Sequence, residues 1–151
     1  PTFYNHFQTK DEILIAHLDQ ILDIMFAEFR KIQTEGDAFS DFLYAATHFF
    51  KLWQSKADLY TLIKDTNTEH LLIEKLKDHH LSTYQQVLVP LYQISNPEIL
   101  EYFIAHISYT FFCVLDQWMA NKMKRTPEEM AELLTILFEP LVIKFLADRY
   151  N

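Results

Sequence analysis

One glycine in 151 residues, Gly36, is the strongest constraint this chain places on its own fold. Average usage is about 7%, and sheet proteins draw on glycine for the left-handed positions of their turns and bulges. A chain with almost none is steered towards helices joined by short connections. The same scarcity excludes the phosphate-cradling P-loop and the dinucleotide fingerprint, each of which needs more than one glycine.

The apolar spacing reads as helices and nothing else. Thr9 with Glu12 three residues later fits a capping box, opening a helix over about 10–33 with Leu14, Leu18, Ile21, Met25, Phe29 and Ile32 on one face. Gly36 is its stop signal. A second helix, about 38–54, carries Phe39, Leu43, Ala46, Phe50 and Trp53 on one stripe. Ser55 with Asp58 starts a short third helix through Asp65, which breaks at Thr66-Asn67-Thr68. The fourth, about 69–93, has the stripe Ile73, Leu76, His80, Tyr84, Val87 and Leu91, which turns His80 inward and leaves His79 outside. Pro90 kinks or shortens it. Asn96-Pro97-Glu98 combines an N-cap, a first-turn proline and a first-turn acid, launching a helix to about 122. Thr126-Pro127-Glu128-Glu129 repeats the device for a last helix to about 148, bent at Pro140. The expectation is an all-α bundle of about six helices in one domain, long enough to bury a real core.

Half of the residues are hydrophobic and 15% aromatic, which suggests an interior larger than one chain needs, or a cavity. A net charge of −8 argues against this stretch gripping phosphates by itself. The single cysteine, Cys113, rules out an intrachain disulfide and fits a reducing cytoplasm. The run 102–115, apolar and without formal charge, is too short to cross a bilayer and reads as a buried helix.

The last two helices speak to assembly. In the final one, Glu128, Glu132, Thr135 and Glu139 form a narrow polar stripe and the rest of the circumference is apolar. The helix before it has one apolar face with Leu100, Ile104, Ile107, Phe111, Leu115 and Trp118, and another with Ile99, Phe103 and Cys113 around His106 and Thr110. Helices apolar nearly all round must be buried nearly all round. Either both faces are internal core, or a second copy covers one of them in an intermolecular four-helix bundle. On the second reading the interface holds Phe111, Leu115, Trp118, Leu134, Leu137 and Leu141.

The first residues carry a more specific signal. Thr2, Phe3, Tyr4, His6, Phe7 and Lys10, followed by Asp11 to Leu14, resemble the end of the DNA-binding domain in TetR-family transcriptional regulators: a Thr-aromatic-Tyr-x-His-aromatic run, a short turn ending in Lys, then an acidic-acidic-apolar-apolar entry to the next helix. The segment from Trp118 to Ala131 also resembles, more loosely, the linker between that family's last two helices. The resemblance implies that 1–8 is the end of a helix-turn-helix domain whose larger part lies upstream, and that 9–151 is an effector-binding and dimerisation domain. It implies a cytoplasmic homodimer, an operator partner touched by Thr2, Tyr4, His6 and Lys10, and a small-molecule effector held among the middle helices. Effector binding would change the spacing of two DNA-reading heads.

No enzyme chemistry is visible. No glutamate has a histidine three residues on and no two histidines lie three or four apart, so neither a carboxylate-bridged metal site nor a helical zinc pair is expected. Cys113 lies in an apolar run, where cysteine is usually inert. No cofactor is implied. Polar and aromatic groups on inward faces, Trp53, Tyr60, His80, Tyr84, Phe103, His106 and Thr110, could converge on an apolar ligand; the alternative for each is a core position with its polar atom satisfied by a neighbour. The competing functional class is a helical ligand-binding or protein-interaction module with no DNA role.

Overall fold

The structure, a computed structural model, describes residues 9–31, 38–83 and 96–138, the side chains of Phe29, Ala38 and Phe39 excepted. The expectations for Thr2, Tyr4, His6, Gly36, Tyr84, Pro90, Pro140 and Leu141 lie outside those residues. Among the described residues there are six helices: α1 (Lys10–Arg30), α2 (Ala38–Ser55), α3 (Ala57–Asp65), α4 (Glu69–Thr83), α5 (Pro97–Ala120) and α6 (Pro127–Phe138). No described residue is in a strand.

Three of the helix starts follow from the capping residues. Thr9 Oγ1 accepts from the Glu12 amide at 3.1 Å, and Asn96 Oδ1 accepts from the Glu98 amide at 3.0 Å. At α6 the box is reciprocal: Thr126 Oγ1 accepts from the Glu129 amide at 3.2 Å and Glu129 Oε2 accepts from the Thr126 amide at 2.8 Å. The start of α3 is a correction. Ser55 is the last residue of α2, and its hydroxyl donates back to the Leu52 carbonyl at 2.6 Å. Ala57 opens α3 with no side-chain cap.

Two helices end in a left-handed residue without using glycine. Asn67 closes α3 at φ 53° and Lys122 closes α5 at φ 57°. The amide two residues past each C-cap reaches the carbonyl five back, Thr68 to Ile63 and Met123 to Trp118, both at 3.0 Å.

α2 lies along α6, α1 packs on α4, and α4 packs on α5. The core these contacts enclose runs from Leu18, Leu22 and Phe26 of α1 through Phe49, Phe50 and Trp53 of α2, and on to Leu115, Trp118 and Leu134. α4, with α1 on one side and α5 on the other, has a wide covered face. Its buried set is Leu72, Leu76, His79 and Thr83, with Ile73 and His80 half-buried beside it. His79 is therefore inside, contrary to the stripe reading. Asp19 and Asp23 of α1 receive it: Nε2 lies 3.5 Å from Asp19 and Nδ1 3.6 Å from Asp23, and the ring stacks on Phe26. Lys75, one turn earlier, reaches Asp19 at 3.1 Å.

α5 is long and apolar enough, by length and composition alone, to cross a membrane, which the uncharged run 102–115 by itself did not suggest. Its inward side, including Ile104, Phe111, Leu115 and Trp118, belongs to the protein core.

Candidate functional site

Among the described residues, those expected to hold a ligand do not come together. Trp53 is fully buried in the core, with Tyr60 edge-on at 6.0 Å between ring centres. Tyr60 is buried too, and its hydroxyl donates to Asp116. Phe103 is half-buried against the core. His106 is exposed, and with Thr110 it lines a shallow depression on the outside of α5. Of the six that are described, only His80 meets a cavity between helices among the described residues; Tyr84 lies outside them. The inward stripes were sound for Trp53 and Tyr60, but inward led to packed core. α5 turns His106 and Tyr109 outward, because its Ile104, Ile107 and Phe111 side is the one that faces α2 and α4.

Tyr60 belongs to a polar network instead. Asp116 also pairs with Lys64 at 3.1 Å, and Lys64 reaches Glu69 at 3.0 Å. Burial, followed by the bond to Asp116, raises the Tyr60 phenol well above its ordinary value. The Tyr60 hydroxyl is the first cause holding the Asp116 carboxyl below its ordinary value. The network ties α3, the start of α4 and α5 together.

The cavity His80 meets lies among four helices and measures about 70 Å³. α1 contributes Met25 and Phe26, and α5 contributes Ile104, Ile107 and Phe111. The α2 wall includes Phe42, His48 and Phe49, while α4 adds His80 and Thr83. Tyr44, also in the wall, is exposed and packs on the His48 ring at 4.3 Å, marking the side that meets solvent. No Asp, Glu, Lys or Arg is among these described lining residues.

His80 is fixed on three sides. Its Nδ1 shares a hydrogen bond of 2.9 Å with Ser108 Oγ, and the ring meets Phe111 and Phe26 edge-on at 5.0 and 5.4 Å. Loss of water around the ring, with neighbouring His79 second, lowers its pKa to about 3. The ring is neutral at physiological pH. Ser108, fully buried, escaped the sequence reading, although a lone small polar residue inside the apolar stripe 104–115 is the kind of signal that could have found it. Thr83 escaped as well: it is buried, and its hydroxyl has no partner among the described residues.

The residues expected at a dimer interface divide. Phe111, Leu115, Trp118 and Leu134 are buried inside the subunit, and Trp118 Nε1 is closed off by the Arg125 carbonyl at 3.0 Å. Rings of α2 meet Phe111 and Trp118, α2 lies along α6, and all four are buried within the subunit, so a second chain has little of them to cover. Leu137 is half-exposed. The apolar surface that stays open is the other face: Tyr102 (70% exposed), Tyr109 (50%) and Cys113 on α5, with Leu133, Ile136 (64%) and Leu137 (52%) on α6. A groove lined by Cys113, Val114, Met130 and Leu133 joins the two helices there. Thr135, expected in the polar stripe of α6, is buried, its hydroxyl donating to the Ala131 carbonyl at 2.7 Å.

Among the described residues the fold is all-α, with a small cavity open on one side and an uncovered apolar helix pair. Residues 40–140 match the family described as the transcriptional regulator C-terminal region of TetR type. The chain belongs to that family and is a transcriptional regulator of TetR type. Comparison with curated proteins and with solved structures finds no match.

Proposed function

We propose that this chain is the ligand-binding and dimerisation part of a homodimeric repressor, and that a small molecule entering the α1–α2–α4–α5 cavity sets its affinity for an operator. The observation that carries the reading is that α1 forms one wall of the cavity, through Met25 and Phe26, and begins at Lys10, where the sequence resembles the end of a DNA-reading domain. Phe26 also stacks on His79, which sits between two aspartates of α1. A ligand that displaces Phe26 thereby acts on the contact between α1 and α4. Regulation follows if the ligand binds one setting of α1 better than the other.

In this reading residues 1–8 close a helix-turn-helix domain, and Thr2, Tyr4, His6 and Lys10 meet the DNA backbone or groove edge. The exposed face of α5 and α6 is where a second copy docks, and the protein works in the cytoplasm where its operator is. The test is operator binding by the protein carrying its upstream residues. Replacing Tyr4 and Lys10 should weaken it, the Lys10 loss being similar across sequences. A protein that dimerises and binds ligand yet never binds DNA specifically would favour the interaction-module class instead.

A further inference from the structure

A threonine hydroxyl in a helix has a ready partner in the carbonyl four residues back. Thr47, Thr61, Thr66 and Thr135 all use it, at 2.8, 3.1, 2.8 and 2.7 Å. Thr83 does not. It is 3% exposed and its Oγ1 is unpartnered among the described residues, an arrangement that is destabilising unless something else supplies the bond. Thr83 also lies in the wall of the cavity, three residues after His80.

The rest of the wall narrows the choice of occupant. Phe26, Phe42, Phe49 and Phe111 offer ring surface. His80 is neutral and has committed Nδ1 to Ser108, so Nε2 can offer one further donor or acceptor, not a charge. With no charged side chain among the described lining residues, a carboxylate, phosphate or ammonium group would enter unpaired, which is strongly unfavourable.

We infer that the cavity binds a small neutral compound with a compact apolar body and a single hydroxyl, the hydroxyl bonded to Thr83 Oγ1 and the body lying among the phenylalanine rings. The inference rests on the cavity being the effector site. The cavity's 70 Å³ is less than the roughly 150 Å³ that holds a benzene ring elsewhere, so entry of one ring requires the wall to give. Met25 of α1, unbranched and half-buried, is the side chain best able to move. Occupancy is thereby tied to α1.

Phenol, toluene and benzoate test this by calorimetric titration of the whole chain, in the wild type and in Thr83→Val, which exchanges the hydroxyl for a methyl group. Phenol should bind about fivefold more tightly than toluene, as one hydrogen bond allows, and benzoate should not bind. Thr83→Val should abolish the preference by weakening phenol alone, and Thr83→Ser should keep it. Because Thr83→Val removes an unsatisfied group, its melting temperature should not fall. Benzoate binding as well as phenol, an unchanged phenol-to-toluene ratio in Thr83→Val, or no binding by any of the three would overturn the assignment. A dimer that binds operator but ignores phenol loses only this inference. A monomer that binds phenol with the stated preference loses only the regulator reading.

Discussion

His80 is where burial and hydrogen bonding meet in one side chain. Its folded pKa, about 3, lies below its ordinary value of 6.5 because the packed site resists the charged form. Above pH 6.5 the ring is neutral in both states and adds no pH dependence. As pH falls from there towards 3 the unfolded chain takes up a proton that the folded chain refuses, so stability drains away across that window. Urea melts at pH 7, 5.5 and 4 should show this fall, and His80→Gln should flatten it; equal slopes in the two proteins would mean other groups dominate. Tyr60 gives the alkaline counterpart. Its raised phenol pKa predicts that, among the tyrosines, one absorbance step at 295 nm is delayed until the fold opens, and that Tyr60→Phe removes that step.

At the scale of the helix, ends were easier to read than faces. The capping box at Thr126 is a local chemical device, legible without knowing what surrounds it. Thr126→Ala should cost about 1 kcal/mol, measured as a shift in the urea midpoint. Lys122, left-handed at φ 57°, predicts the opposite: Lys122→Gly should stabilise by about 0.5–1 kcal/mol, less whatever glycine loses in unfolded-chain entropy. Faces depend on neighbours. α4 is covered by α1 and α5, so no single stripe describes it, and His79 looked exposed because only the fold brings Asp19 and Asp23 to it. On α5 two faces are comparably apolar, and composition does not say that the Phe111 face turns inward. The cavity was illegible for the same reason: Met25, Phe42, His80 and Ile107 come from four helices whose crossing decides that they share a wall.

For the whole molecule, the apolar surface left open on α5 and α6 is the proposed docking face for a second copy. Because Ile136 and Leu137 are exposed within one subunit, Ile136→Glu with Leu137→Glu should leave the fold intact and dissociate the dimer in sedimentation. Phe111→Asp should unfold the chain instead, because it buries a charge in the core. The proposed regulation joins a dimer to the cavity through α1. Its most direct test is the distance between two spin labels at Lys10→Cys, in a Cys113→Ser background, measured with and without saturating phenol. A defined distance between the two copies of α1, changing when phenol binds, is expected. A chain with no inter-label coupling, or one whose distance stays the same with the cavity filled, would contradict it.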